Sequence, residues 1–363
     1  MFIKIIKRSC DTTFKSIAYF LCFLVVARAS ATALMPFFSW DALYIFSYIP
    51  PHLLFVLSGL CTLIFYPFKK KTIIPSLLFG LSFFSYAVDG DHSIKKSLFG
   101  NKPAYAYADS DPIKSNFSVM ALNVQFYFHS FDKVFSFLKQ HQADIILLSE
   151  NQFKPEQYEE LLSSKGYFLK NYQWPSTDTC TTIMSKHEII SYKNIELPSP
   201  QVSIAEYNSH EDLDALPRRQ FAHAKIKIGN DVLNFISLRF IAGRAKSQFI
   251  WDQISWGLTL YRYQKREIAF VKEYLAKLTG PVIVGGDLNL TPGSGFVKEL
   301  TENLIDSNTE HNLFGGRTFR NEVLSSIRLD YLLHSKELIN LGTEVLNKEK
   351  VSDHYAIMGK FTI

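Results

Sequence analysis

Cysteine is scarce in this 363-residue chain, which holds four. Cys10, Cys22 and Cys61 fall near the N-terminus, so Cys180 stands alone in the remainder. A lone cysteine forms no intramolecular bridge, and no zinc-ligand spacing is present, so neither device organises the C-terminal part. Excess charge is missing there as well. Residues 117–363 hold 27 of the 39 Lys and Arg and 28 of the 34 Asp and Glu, which is close to neutral. The formal net charge of +5 therefore belongs to the first 116 residues and does not argue for a polyanion-binding surface. There is no internal repeat at solenoid spacing and no long low-complexity tract.

What the N-terminal part has instead is long apolar runs. Lys4, Lys7, Arg8 and Lys15 precede a stretch from Ser16 to Trp40 that is broken only by Arg28. Its length fits a membrane span, at the cost of one buried arginine. The basic start and the small residues Ala27 to Ala31 also fit a signal peptide. Two further apolar segments follow, and they favour an uncleaved anchor. Ala42 to Phe68 contains no Lys, Arg, Asp or Glu and reads as a span that Pro50-Pro51 either kinks or starts, closed by Lys69-Lys70-Lys71. Thr72 to Val88 is a third, shorter candidate. With basic flanks held in the cytoplasm, three crossings leave everything after Val88 on the extracytoplasmic side. The expected organisation is a membrane arm over 1–88, a polar linker over 89–116 and a folded domain over 117–363.

That domain mixes strand and helix signals. Val119 to Val124 and Ile145 to Leu148 read as buried strands, with a helix between them carrying Phe131, Val134, Phe135 and Leu138 on one face and Ser130 as its N-cap. Short strands are expected at Thr181–Met184, Phe221–Ile228 and Val232–Leu238, the last two joined by a Gly229-Asn230 hairpin turn. A helix over Arg262–Leu278 should stop at Gly280. Leu329–Leu333 and Ala356–Phe361 complete the strands. The fold class is α+β, with two sheets packed face to face and helices outside.

The stretch Pro281-Val-Ile-Val-Gly-Gly-Asp-Leu-Asn-Leu-Thr-Pro292 is the most informative. A short apolar strand is expected to end at two glycines, which also permit close backbone approach. Asp287 and Asn289 follow two residues apart, so in extended chain they would face one reactant together. The other reading is a strand followed by an Asx turn. Further polar residues stand at strand ends: Asn123, Glu150, Asp330, and the pair Asp353-His354.

In this order the pieces Ala121-Leu-Asn-Val124, Leu147-Leu-Ser-Glu150, Gly286-Asp-Leu-Asn289, Arg328-Leu-Asp-Tyr331 and Ser352-Asp-His354 resemble the endonuclease/exonuclease/phosphatase superfamily. Its members include DNase I-like nucleases, neutral sphingomyelinases and inositol polyphosphate phosphatases. Thr182 to Lys186 also looks like the family's central strand with its Ser-Lys ending. The overall look is that of bacterial members with a multi-span arm, which implies an inner-membrane location.

The resemblance implies a four-layer α/β/β/α sandwich and a metal-dependent phosphodiesterase acting by activated-water attack on nucleic acid or phospholipid. Glu150, Asn123 and Asp353 would hold Mg²⁺, with Mn²⁺ as the alternative ion. Asp287 would activate water, Asn289 would donate to the developing oxyanion, and His354 would contact the phosphoryl group while Asp330 holds its ring. Lys186, Arg239 and Arg262 would bind substrate. The competing class is a binding or signalling module that keeps the fold without turnover.

One departure stands out. Many members carry a histidine at the end of the strand written here as Asn234 to Phe240, and this chain has Arg239. Arginine binds phosphoryl oxygens but cannot serve as a general acid at ordinary pH. Gln125 also stands where some nucleases have an acid. Residues 239–266 add Arg244, Lys246, Arg262, Lys265 and Arg266 among Phe249, Trp251, Trp256, Tyr261 and Tyr263. Such a mixture suits an anionic substrate, and it equally suits an ordinary amphipathic helix with its entry loop.

Overall fold

A computed structural model of the chain describes residues 116–125, 130–151, 163, 166–167, 181–198, 220–241, 250–292, 294–308, 316–319, 328–346 and 350–363, without the side chains of 250–258. The three expected membrane spans and the linker lie outside the described residues. Among the described residues, no helix is long and apolar enough to cross a membrane.

The described strands form two sheets. The first is built from β1 (Asn116–Asn123), β2 (Ile145–Ser149), β3 (Thr182–Ser185), β10 (Ile339–Leu346) and β11 (Ala356–Thr362), in the order β10-β11-β1-β2-β3. The second contains β4 (Ile189–Glu196), β5 (Gln220–Ile228), β6 (Asp231–Ser237), β7 (Val282–Asp287), β8 (Ile305–Asp306) and β9 (Asp330–His334), in the order β4-β5-β6-β7-β9-β8. Helices α1 (Phe131–His141), α2 (Ile250–Ala276) and α3 (Gly295–Thr301) connect them.

The continuous apolar runs of β1 and β2 are explained by burial on both faces. Val119, Ala121, Ile145 and Leu147 face the second sheet, where they meet Ala224, Ile226, Phe235, Ile283 and Leu332. The alternate residues Met120, Leu122, Ile146 and Leu148 pack outward on Val134, Phe137 and Leu138 of α1. Each such side chain contributes roughly 1.5–3 kcal/mol by leaving water. On the second sheet, Phe221 and His223 of β5 meet Tyr274 of α2 edge-on, at 5.2 and 5.6 Å between ring centroids. The expected sandwich is therefore present, with helices on the outer faces of both sheets.

Several local expectations need correction. Ser130 stands at the N-cap position of α1 but makes no side-chain capping bond, and Phe137 rather than Phe135 is the fully buried aromatic. Helix α2 starts at Ile250, a dozen residues before the expected Arg262. The apolar residues Ile250, Ile254, Leu258 and Tyr261 extend its helical spacing toward the N-terminus, a signal that the interleaved basic and aromatic residues of the segment obscured. Strands β4 and β10 were not foreseen, because each is half-exposed with polar residues interrupting the alternation. The Gly229-Asn230 hairpin is as expected, with Gly229 at φ 61°.

Candidate active site

The parallel pairs β1/β2 and β6/β7 end on the same side of the sandwich, and the antiparallel neighbours β9 and β11 begin there. This places Asn123, Glu150, Asp287, Asp330 and His354 at one rim. Asn123 lies opposite Ser149 across β1 and β2, next to Glu150, and Asp287 lies opposite Asp330 across β7 and β9. Beyond Ser237 the chain keeps following β7: Leu238 N–H donates to Gly285 O at 2.9 Å and Phe240 N–H to Asp287 O at 3.2 Å. Arg239 therefore rides beside Asp287. The two sheets are joined at the rim by Asn123 Nδ2, which donates to Asp287 Oδ2 at 3.0 Å.

The double glycine before Asp287 makes this approach feasible. A Cβ on Gly286 would sit 2.1 Å from Leu238 O, and one on Gly285 would sit 2.6 Å from Leu147 Cδ1. Gly286 also adopts φ 139°, which side-chain-bearing residues avoid. The glycines do not end the strand, as the sequence implied; β7 runs through them to Asp287.

Asp287 is the hub. Its Oδ1 accepts from Asn289 N–H at 2.9 Å, and its Oδ2 accepts from Asn289 Nδ2 at 3.0 Å. The Asx turn and the active-site edge are thus one feature, not alternatives. Asn289 is folded back by a left-handed φ of 50°. Both oxygens that its Nδ2 faces are acceptors, Asp287 Oδ2 and Phe240 O (3.1 Å), which fixes the nitrogen there. The expected oxyanion donor is, in this arrangement, the clamp that orients Asp287. Asn123 is likewise turned. Its Oδ1 accepts from Gln125 N–H at 2.9 Å and its nitrogen donates to the Asp287 carboxylate.

His354 Nδ1 lies 2.7 Å from Asp330 Oδ2, as expected for an oriented imidazole. Its Nε2 is 4.0 Å from both Asp287 Oδ2 and Asp353 Oδ1. Those gaps are too long for hydrogen bonds and wide enough for a shared oxygen to bridge. Burial alone would depress the imidazole, but Asp330 and then Asp287 outweigh it and hold its pKa up at about 10. Burial pushes Asp287 up to about 6; Asp330 and Glu150 add to the rise, and His354 and Arg239 oppose it.

Arg239 is the surprise. Its NH2 group lies 2.6 Å from Glu150 Oε1 and its Nε lies 3.9 Å from Asp287 Oδ2. Little of the short pair meets solvent, with 13% and 11% of the two side-chain surfaces exposed. Burial works against the charged guanidinium, yet Glu150 and Asp287 together hold its pKa above the ordinary value. Glu150 itself is left-handed, with φ 55°, and Gln125 with φ 47° is a third such residue at the rim. Non-glycine residues in this region carry strain of order 1–3 kcal/mol each, and such strain gathers at functional sites.

Two expected substrate contacts are not brought to the rim. Lys186 follows β3, which runs antiparallel to β2 with Ser185 opposite Ile145. It therefore sits at the far end of β2, ~20 Å from Glu150 at strand rise. There it donates to Gln142 O at 2.6 Å and pairs with Asp144 at 3.6 Å. Arg262 is exposed on α2, two residues and so roughly 200° around the helix from the buried Gln264.

Gln264 and Glu267 were not foreseen, and they matter. Glu267 Oε2 accepts from Ile241 N–H at 2.9 Å. Gln264 Nε2 donates to Ile241 O at 3.0 Å and Asn289 O at 3.2 Å. Together they pin the two loops that carry Arg239 and Asn289. Their signal in the sequence was two polar residues inside the apolar stripe of Ile268 and Val271. Thr318 was also missed; its hydroxyl accepts from Leu329 and Asp330 N–H at 3.0 and 2.9 Å, fixing the start of β9.

The sequence profile of the Endonuclease/Exonuclease/phosphatase family matches residues 120–354, and the chain belongs to that family. No curated protein sequence matches it. Among solved structures it is similar to the endonuclease/exonuclease/phosphatase from Bacteroides vulgatus, at 14% identity and TM-score 0.50, over 68% of this chain and 98% of that one. It is also similar to humanized D. rerio TDP2, at 15% identity and TM-score 0.50, again over 68% and 98%. A family protein from Bacteroides thetaiotaomicron gives 14% identity, TM-score 0.50 and coverage of 69% and 98%. At these identities the likeness is one of fold.

Among the described residues, the acidic and histidine side chains whose ligand atoms lie within 4.8 Å of one another are Asp287, Asp330 and His354. These three side chains carry donor atoms of the kind that hold a divalent ion, and the same carboxylate–imidazole grouping suits acid–base chemistry. The residues the resemblance implied as ligands fall outside it. Of these, Glu150 and Asp353 have the hard carboxylate oxygens that suit a divalent ion.

Proposed function

We propose that the protein is a metal-dependent phosphoesterase that hydrolyses phosphodiester bonds by attack of an activated water. The observation that carries this reading is the facing pair at the rim. A carboxylate raised to about 6 and an imidazolium held at about 10 stand 4.0 Å apart and are locked from behind by separate partners. That pairing puts a base and a cationic donor within reach of one small tetrahedral group.

In this mechanism Asp287, oriented by Asn123 and Asn289, takes a proton from water. His354, its Nδ1–H bonded to Asp330, presents Nε2–H to a phosphoryl oxygen and stabilises the charge that develops there. A divalent ion, Mg²⁺ in our reading, would be held by Glu150 with Asp353 nearby and would neutralise phosphoryl oxygens. The substrate class is nucleic acid or phospholipid. We further propose that residues 1–88 tether a catalytic domain over 117–363 to the bacterial inner membrane through the linker 89–116, on the extracytoplasmic side. The apolar runs and flanking lysines support this.

The test uses full-length protein with Mg²⁺ or with chelator, on DNA, RNA, sphingomyelin, phosphatidyl lipids and a chromogenic diester. Chelator-sensitive release from at least one substrate is expected, and Asp287→Ala should lower it by roughly 10²–10⁴-fold. Release from none of them, or an Asp287→Ala variant as active as wild type, would leave the fold serving a binding role.

A further inference from the structure

The side chain that the family resemblance explains least is Arg239, and it sits on the group the resemblance needs most. Its guanidinium lies 2.6 Å from Glu150 Oε1. It cannot leave by losing its charge, because arginine stays protonated at any pH the fold tolerates. Its main chain is held in place, so only the side chain can move: Leu238 and Phe240 on either side are bonded to the β7 backbone, and Glu267 and Gln264 grip Ile241 just beyond. A divalent ion on the same oxygen would meet a fixed positive charge at about contact distance, in surroundings where water screens little.

We propose that Arg239 is a resident cation of this site, which occupies the position at Glu150 that a divalent ion would take, so that ion and arginine compete for one carboxylate. The metal binds only as the guanidinium swings off Glu150, and the freed guanidinium then points to the anion that the site accepts. Apparent metal affinity is therefore weak in the resting protein and rises when an anion draws Arg239 away. This rests on the phosphoesterase reading for the meaning of the anion, but the competition itself does not.

The experiment measures Mn²⁺ binding to the full chain by the electron paramagnetic resonance signal of the free ion, with no substrate and no turnover. Arg239→Gln is expected to bind Mn²⁺ at least tenfold more tightly than wild type. Adding Glu150→Gln to that variant should abolish the gain. Arg239→Lys keeps the charge and is the safer variant for folding; it should bind as weakly as wild type. Tight binding by wild type or by Arg239→Lys, or a gain that survives loss of Glu150, would overturn the proposal. Weak wild-type binding with a tight Arg239→Gln, but no hydrolysis of any substrate, would sink the phosphoesterase reading and leave this one standing.

Discussion

Asp287 and His354 are neighbours whose titrations run in the same direction for different reasons. Asp287 is raised to about 6, first by burial; His354 is raised to about 10 by Asp330 and Asp287 in spite of burial. Catalysis in our reading needs the carboxylate ionised and the imidazole protonated. The rate should climb as pH passes about 6, hold a plateau, and fall as pH passes about 10. In Asp330→Asn the strongest attraction holding the proton on His354 is gone, and only Asp287 and Asp353 are left to oppose burial. The alkaline limb should move down by more than a unit while the acid limb moves down slightly, since Asp330 also raises Asp287. A pH–rate profile of the two proteins checks both shifts.

At the scale of elements, the site depends on how closely β6 and β7 approach. Gly286→Ala would place a methyl group 2.1 Å from Leu238 O at φ 139°. Backbone cannot retreat cheaply there, so we expect a loss of about 3 kcal/mol or more. Gly342→Ala, with nothing within 4 Å of the added atom, serves as the control and should be near neutral. Denaturant midpoints with unchanged slope would measure both. The same region shows what the sequence could disclose. The double glycine, Asp287, and the strand ends at Asn123 and Glu150 were all legible, because apolar periodicity and turn chemistry are local properties. The inward turn of the Asn123 and Asn289 amides was not legible. It depends on which acceptors happen to lie across the sheet and on a left-handed backbone at Asn289. Lys186 was misplaced for a related reason: motif order says nothing of strand direction, and an antiparallel β3 carries its end away from the site. Arg239 is legible as a departure, but its ion pair with Glu150 joins ends of strands in different sheets, which no local pattern encodes.

The whole molecule responds to pH through a histidine far from the rim in sequence. His223 Nε2–H donates to Asn234 Oδ1 at 3.0 Å, and its Nδ1 accepts from Tyr274 Oη–H at 2.6 Å. Asn234 is fixed in that orientation because its nitrogen donates to Thr279 O and Pro281 O. This neutral, buried ring ties α2 to β5 and β6, and burial pushes its pKa down to about 4. The folded value lies below the unfolded one of about 6.5. Both states are neutral above that value, so nothing is lost there; below it the unfolded chain takes a proton that the folded chain refuses. Stability should fall between about 6.5 and about 4 by up to about 3 kcal/mol. Asp287, whose folded value is raised, works in the opposite sense over part of this window. The effect is therefore read as a difference: His223→Gln should lose less stability than wild type as pH falls from 7 to 4, in denaturation curves taken at each pH. The strand order also carries a consequence for synthesis. Strand β11 lies between β10 and β1 in the first sheet, with Thr362 paired to Asn116. The seam between the earliest and latest described strands pairs residues 246 positions apart, and the last-made of these strands fills an interior slot. Until β11 has emerged, the nascent chain has a gap in the middle of that sheet. Neither the sandwich nor its chemistry can be completed before residues through Thr362 have left the exit tunnel.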